Sequence, residues 1–369
     1  MANMTWEFYY SSSITEVTDI LSVQIRAGRS FITDPYSAAS CTIEVRNISS
    51  WSGSPPRVGQ RCYARGKLGP IAFGGLIKDV RIQYGIISAL DTATIECEGI
   101  LARLGRRQLN AFALTQDLTG EQVSDLLTQI NVSYQYQFGS SIASAQTYTG
   151  NALDLLNELT LTEVGRIIEI WDDSGGGNIA LLWDGRNYYQ ESGIQFSDET
   201  ADSATHLKYD QIGFTSAAEN FYTQVTIEPQ GLASQTESSG SAPFYGLTQS
   251  SLDATTTQAD NHAAYLLNAF DSSAAALNSL SFTYSEQRTT LLSMFNNCFS
   301  ASETQWSIGE LIAVKFRGST YSAVIEGFTV SADLDDTRVT LDLSSEQVQN
   351  YLVLNNAVFG TLDENKLGF

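Results

Sequence analysis

Val58-Gly59-Gln60, Gly75-Leu76-Ile77-Lys78-Asp79-Val80 and Ala93-Thr94-Ile95-Glu96-Cys97 form one unit of the chain, and Ile308-Gly309-Glu310, Gly327-Phe328-Thr329-Val330 and Arg338-Val339-Thr340-Leu341-Asp342 form another in the same order. Each unit opens on a glycine, meets a second glycine 16 residues on (Gly59 to Gly75) or 18 residues on (Gly309 to Gly327), and closes on an alternating run. Strict alternation of apolar and polar residues is the period of a strand with one face buried. The matched order reads as an internal repeat and predicts two similar small β-barrels.

Outward from these units the period organises the rest. Cys41, Ile43 and Val45 alternate with Thr42, Glu44 and Arg46, so residues 1–107 read as an all-β region, with Ser52-Gly53-Ser54-Pro55-Pro56 as a loop between its strands. After Arg107 the period becomes helical. Thr119 and Gln122 have the form of a capping box, followed by Val123, Leu126, Leu127 and Ile130 at i, i+3, i+4 and i+7. A second helix is predicted near Ala152, Leu155, Leu156 and Leu159, and strands Arg166–Trp171 and Asn178–Trp183 flank Asp172-Asp173-Ser174-Gly175-Gly176-Gly177. Residues 108–205 are therefore expected to form an α+β domain. From Tyr209 strands return, with Gln230–Ala242 as a long exposed loop and Ala263, Leu266, Leu267 and Phe270 as a helix. The expected architecture is mainly β with an α+β insert: a barrel at 1–107, the insert at 108–205, a second barrel at 206–345 with a helical insertion near 259–270, and a C-terminal tail at 346–369.

At ~100 to 200 residues per domain, 369 residues allow about two to four domains, consistent with that division. Twenty Lys and Arg against 41 Asp and Glu give −21, which opposes adhesion to phosphate backbones and anionic lipid. The charge is uneven: residues 1–107 carry 12 basic and 9 acidic side chains, net +3, and residues 108–369 carry 8 and 32, net −24. Arg103, Arg106 and Arg107 cluster where the sign changes and read as a solvated corner. No run approaches the ~18 apolar residues that span a bilayer, so no membrane anchoring is expected. The start, Met1-Ala2-Asn3-Met4-Thr5-Trp6-Glu7, lacks the basic and apolar regions of a secretory signal, which predicts folding in a cytoplasm.

Cys41, Cys62, Cys97 and Cys298 form no CxxC pair, and His206 and His262 are the two histidines, so no metal site is expected, and Cys41, Cys62 and Cys97, each in a strand-like run, read as buried thiols. GxSxG, GxxxxGK[ST] and HExxH are absent, so the chain is read as no enzyme, with no catalytic, cofactor-binding or metal residues and no cofactor. Asp172 with Asp173, and Asp333 with Asp335 and Asp336, have carboxylate spacing compatible with calcium or glycoside hydrolysis, but sit beside turn signals and read as hairpin turns. Gly175-Gly176-Gly177 precedes a strand, so it reads as a turn and not a phosphate cradle. Trp6, Trp51, Trp171, Trp183 and Trp306 are assigned to cores or interfaces.

Leu21–Arg29, Ala38–Asn47, Phe73–Ile77 and Cys97–Leu104, followed in order by Gly150–Leu159, Leu182–Arg186, Asn220–Val225, Tyr245-Gly246 and the block Ile308–Leu343, resemble the minor tail proteins of tailed bacteriophages. Each motif is short, and the specificity lies in their order over residues 15 to 345. The resemblance implies a tail hub, similar to the hubs of contractile baseplates, with two tube-like barrels around an α+β part and commonly a trimer. Its implied neighbours are a tail tube or distal tail protein on one side and tail-tip or fibre proteins on the other, in a virion tail tip assembled in the host cytoplasm. The ring would adapt a six-fold tube to a three-fold tip and leave a channel through which DNA passes without adhering. The alternative reading is a receptor- or glycan-binding tail-tip module.

Overall fold

The computed structural model describes residues 6–10, 15–17, 19–46, 55–66, 71–87, 90–137, 139–172, 178–186, 190–198, 206–215, 222–240, 245–270, 276–284 and 308–345. The first seven strands are β1 (Trp6–Tyr10), β2 (Thr15–Val17), β3 (Ile20–Gly28), β4 (Ser40–Arg46), β5 (Arg61–Gly66), β6 (Ile71–Gln83) and β7 (Thr92–Glu98). They pair antiparallel throughout, in the order β3-β4-β7-β6-β5-β1-β2. The alternation read from the sequence sets which face turns inward. Cys41 lies opposite Cys97 and Ile43 opposite Ile95, all buried, while Thr42 and Glu44 point away. Burying each such side chain stabilises the sheet by about 1.5–3 kcal/mol for the larger aliphatics.

Next come α1 (Leu101–Arg106), β8 (Gln108–Leu114), β9 (Asp117–Leu118), α2 (Thr119–Gln129), β10 (Ser133–Tyr136), β11 (Ile142–Ala143), β12 (Gln146–Asn151), α3 (Ala152–Glu163), β13 (Arg166–Asp172) and β14 (Asn178–Asp184). The helical period is fulfilled: Val123, Leu126 and Leu127 of α2 and Leu155, Leu156 and Leu159 of α3 share one core with Trp171 and Trp183. The expected capping box is not formed. Leu118 is the N-cap of α2, without a side-chain cap bond. Thr119 and Gln122 are instead buried and committed elsewhere: the Thr119 hydroxyl donates to Glu163 (2.8 Å), and Gln122 Nε2 donates to the Thr115, Ala143 and Ser144 carbonyls. Asn151 does cap α3, its Oδ1 accepting from Leu153 N at 2.8 Å.

The last group holds β15 (Gln190–Ser197), β16 (His206–Leu207), β17 (Gln211–Thr215), β18 (Gln224–Pro229), β19 (Gln235–Ser238), β20 (Gly246–Ser251), α4 (Thr256–Phe270), β21 (Ala276–Tyr284), β22 (Glu310–Phe316), β23 (Ser319–Ala332) and β24 (Thr337–Ser345). Their main order is β17-β21-β24-β23-β22-β15-β16. The first five strands of this order repeat β3-β4-β7-β6-β5 in topology and direction. One irregularity coincides as well. Gly59 and Gly309 both have positive φ (84° and 89°) and donate to Ile77 and Ile325, and a bulge follows directly, at Ile77/Asp79 and at Ile325/Gly327. A β18–β19–β20 sheet covered by α4 is inserted between β17 and β21, where Val225 and Ile227 pack on Ala263, Leu266 and Phe270. Two details differ from the sequence reading. Gln235–Ser238, within the expected loop, is a strand on β18, and Gln190–Ser197, within the expected insert, lies parallel to β22 and brings Ile194 and Phe196 into the main core.

Two separate closed barrels are not what forms. The C-terminal half of β23 pairs with β3, so the strands unite in one 14-stranded sheet that does not close on itself among the described residues. The reason lies in the use of edges: the segment of β23 beyond its bulge gives one edge to β24 and the other to the first unit, leaving none to close its own.

Candidate functional site: the joint between the two units

The joint runs from Gly327 opposite Gly28 to Ala332 opposite Val23, six pairs in register. Gly28 has φ +83°, a left-handed conformation that disfavours a side chain. A Cβ there would also sit 2.4 Å from the Glu326 carbonyl oxygen and 2.6 Å from Gly327 Cα. Glycine on both strands thus lets two backbones approach more closely than any side chain permits. Beside them the Arg29 backbone N–H donates to the Glu326 carbonyl at 3.0 Å, and Arg29 Nε meets the Glu326 carboxylate at 2.9 Å with both side chains fully buried.

Burial alone would raise the Glu326 pKa, but Arg29, Arg166 and the Ser344 hydroxyl (2.6 Å) outweigh it and hold the carboxyl below its ordinary range. The cluster thereby joins three regions: β3, the insert through Arg166 of β13 (3.5 Å), and β23 with β24. At the exposed face of the joint, Arg26 donates to Thr329 at 3.2 Å and reaches Asp342 at 3.4 Å. Trp6 Nε1 adds a long bond to Thr337 at 3.4 Å.

The insert is clamped to the first unit by Glu169. Its carboxylate accepts from Ala39 N (2.6 Å) and from Leu101 N (2.7 Å) at the start of α1, and any Cβ at Gly99 would collide with it. Burial pushes this carboxyl up to about 7. Asp184, beside Arg166, is likewise pushed up to about 7 by burial. Tyr63 and Trp171 add a ring contact at 5.1 Å. The cavity enclosed by these parts, lined by Gly28, Tyr36, Glu169, Ile308 and Phe328 among others, has about 50 Å³. It admits a water or two and is far below the ~300 Å³ of a small-molecule site.

The side chains singled out in the sequence do not converge. Arg106 makes a two-pronged pair with Glu98 at 2.5 Å on the surface. The Asp333 carboxylate accepts from Asp335 N and Asp336 N at 2.8 Å each, closing the β23–β24 turn. Asp172 ends β13, and Asp173, Gly175, Gly176, Gly177, Trp51, Trp306 and Cys298 lie outside the described residues. Cys41, Cys62 and Cys97 are buried free thiols, and burial drives the first two well above the ordinary thiol range. Trp6, Trp171 and Trp183 are core residues. His262 binds Asp253 (3.2 Å), which accepts from Ser251 (2.7 Å); the serine faces the aspartate and not the histidine, so this is a structural chain under α4 and not a nucleophile with its base. Among the described residues no three His, Cys, Asp or Glu side chains are grouped to hold a metal, and no helix is long and apolar enough to cross a membrane. The sequence reading missed Gly28, Arg29, Arg166, Glu169 and Glu326. One signal pointed to Glu326, though not to its partners: it stands alone in the apolar run Ala323-Val324-Ile325-Glu326-Gly327-Phe328, which demands a buried partner.

No family model matches the chain, and no characterised protein matches it by sequence. Solved structures do match it in three dimensions. A tail protein from Neisseria meningitidis MC58 superposes with a TM-score of 0.66 at 11% identity, over 93% of this chain and 97% of that one. The 43 kDa tail protein of prophage MuSo2 from Shewanella oneidensis gives 0.62 at 11% identity, over 92% and 98%. The fold is that of phage tail proteins. This tail-protein fold extends to the E. coli c3393 protein, a type VI secretion component described as similar to the T4 bacteriophage tail proteins gp27 and gp5 (TM-score 0.51, 13% identity, 89% of this chain and 74% of that one). In the tail-protein fold of this chain the joint is the place where the two repeated units become one body.

Proposed function

We propose that the chain is a structural tail hub of a tailed-phage virion: three copies form a ring at the distal end of the tail, adapting a six-fold tube to a three-fold tip and leaving a channel for DNA. One observation carries this reading. A single chain holds two five-stranded units of identical order, joined edge to edge through β3 and β23. Three such chains supply six similar segments, so one ring presents near six-fold symmetry to the tube and three-fold symmetry to whatever decorates the chain's inserts. The near full-length likeness to phage tail proteins supports the same reading. The charge of −21 suits a channel through which DNA slides without adhering. The role is structural and needs no catalytic group; tail-tube and tail-tip proteins are the partners, and the virion tail tip is the location.

The test is the mass and shape of the purified chain. Particles of three times 40.2 kDa with an axial opening in negative stain are expected. Three copies bring −63, and their repulsion weakens as the Debye length falls from ~8 Å at physiological salt to ~3 Å at 1 M, so added salt favours the ring. Monomers alone at every salt and protein concentration, with the tail-tube partner added, overturn the hub and put the tail-tip binding module in its place.

A further inference from the structure

We infer that the ring closes through a second joint, in which the β6 edge of one copy takes the β17 edge of the next in a register set by the internal joint. This deepens the hub reading and rests on it. Within the chain, the β3 edge of the first unit meets the post-bulge edge of β23 in the second. The equivalents of these two edges are β17 in the second unit and the post-bulge part of β6 in the first. Among the described residues neither has a strand on that side: β17 pairs with β21 alone, and residues 79–83 pair with β7 alone. Among the described residues each chain therefore carries one used pair of edges and one unused pair of the same kind. Two unsatisfied edges of matching topology, one on each unit, are what a closed ring of identical copies requires.

The pairings fix the register. The bulges align Gly327 with Asp79, so Thr329, Val330, Ser331 and Ala332 correspond to Arg81, Ile82, Gln83 and Tyr84. Through their partners on β4 and β21, Val23 and Gln24 correspond to Ile212 and Gly213; β21 then skips Asn278 in a bulge, and counting on along β17 itself sets Phe214 and Thr215 with Ile25 and Arg26. The second joint thus sets Arg81 opposite Thr215, Ile82 opposite Phe214, Gln83 opposite Gly213 and Tyr84 opposite Ile212. Ile82, Ile212 and Phe214 are apolar yet only partly buried, and the edge leads into Tyr84 and Ile86, which are 78% and 100% exposed in the isolated chain. Pairing would cover this apolar surface, the term that drives association. The polar contact is reproduced with its cation moved to the other strand: Arg26 reaches across to Thr329 and Asp342 in the internal joint, whereas Arg81, already on Glu96 at 2.7 Å, faces Thr215 in the second.

The second joint is also shorter. Asp79 stands where the internal joint has Gly327, and its carboxylate caps the Val80 N–H at 2.9 Å, so the strand pairing begins only at Arg81. It replaces six pairs by four, without the buried Arg29–Glu326 bond. The internal joint is permanent and the second one reversible, which lets copies be made separately and closed on the tail.

Arg26 and Thr329 lie three pairs along from the hydrogen-bonded pair Arg29 and Glu326, and because the two kinds of pair alternate they are a non-hydrogen-bonded pair, the kind whose side chains come closest. The chain carrying Arg81→Cys together with Thr215→Cys is therefore oxidised under ring-forming conditions. Covalent dimers and trimers are expected, at least tenfold above either single variant. As a second measurement without substitution, hydrogen exchange at residues 81–84 and 212–215 of the natural chain should slow on ring formation. A ring that forms with neither cross-link nor protection there overturns this joint and leaves the hub standing. A disulfide formed within one chain overturns it in favour of a fold-back contact. Failure to form any ring overturns both.

Discussion

The two five-stranded units share strand order, the bulge at Ile77/Asp79 and Ile325/Gly327, and the positive-φ glycine, but differ in what the strand after the bulge meets. Glu326-Gly327 of the second unit are buried against Gly28-Arg29, while Lys78-Asp79 of the first are polar residues on an edge that no described strand covers. Two substitutions in equivalent positions, a glycine to an aspartate and a glutamate to a lysine, separate a fused edge from an exposed one. The flanks differ too: β1 runs antiparallel to β5, whereas β15 runs parallel to β22 because the chain re-enters from the insert. Repetition thus supplies the frame, and a few side chains at the seam decide which copy of the frame is joined permanently.

The sharpest way to break this comparison is at the two glycines of like conformation. Gly28→Val forces a Cβ into the backbone of the opposite strand and should cost about 3 kcal/mol or more in urea unfolding, whereas Gly59→Ala, with φ +84° and nothing within 4 Å, should cost about 1 kcal/mol. Equal losses would mean that the joint contributes nothing beyond backbone strain. Next, Glu326→Gln leaves Arg29 uncompensated in the core and should destabilise by about 3 kcal/mol, while Lys78→Gln at the equivalent position should leave the unfolding midpoint nearly unchanged. The Glu326 contribution is present above the ordinary carboxylate pKa and is lost as pH falls through its lowered folded value, so the gap between natural chain and variant should narrow in acid.

A smaller effect sharpens the role of the clamp. Glu169 has its pKa raised from 4.5 to about 7, so the stability linked to its protonated form is complete below pH 4.5 and is lost as pH rises through about 7. Glu169→Gln should flatten the dependence of the urea midpoint on pH between these values, leaving the part due to Asp184, whose shift has the same direction. An unchanged slope would show that Glu169 is not the group that senses pH. Smallest of all, Asp333→Ala should shift the thermal midpoint slightly, because its two backbone bonds close an exposed turn.

Much of the frame was legible in the residues. Period-2 runs such as Cys41–Arg46 and Ala93–Cys97 depend only on which face is buried, and the glycines at 59 and 309 mark a turn whose geometry excludes most side chains. The joint was not legible, because alternation records burial and not partner: β3 and β23 read as ordinary half-buried strands, and nothing local says that they pair. The strands Gln190–Ser197 and Gln235–Ser238 escaped for a different reason. Their Ser, Gln and Glu content resembles a loop, and they are held by the neighbours β22 and β18 rather than by their own preference. The capping-box misreading at Thr119 has the same origin, since tertiary partners claimed the side chains that a free helix end would use.

The seam between β3 and β23 also carries a consequence for the order of events during synthesis. Arg29 and Glu326 are 297 residues apart, and Arg26 and Thr329 are 303 apart. At ~5–20 residues per second, a ribosome exposes the β3 edge for about 15–60 s before its partner strand is made. Throughout that interval the nascent first unit offers an open, pairing-competent edge, and a β23 arriving from a neighbouring nascent chain competes for it with the chain's own. Slow translation or crowded polysomes are therefore expected to favour strand-exchanged assemblies, and the glycine pair at the seam, where a Cβ would meet the opposite backbone, penalises pairing out of register.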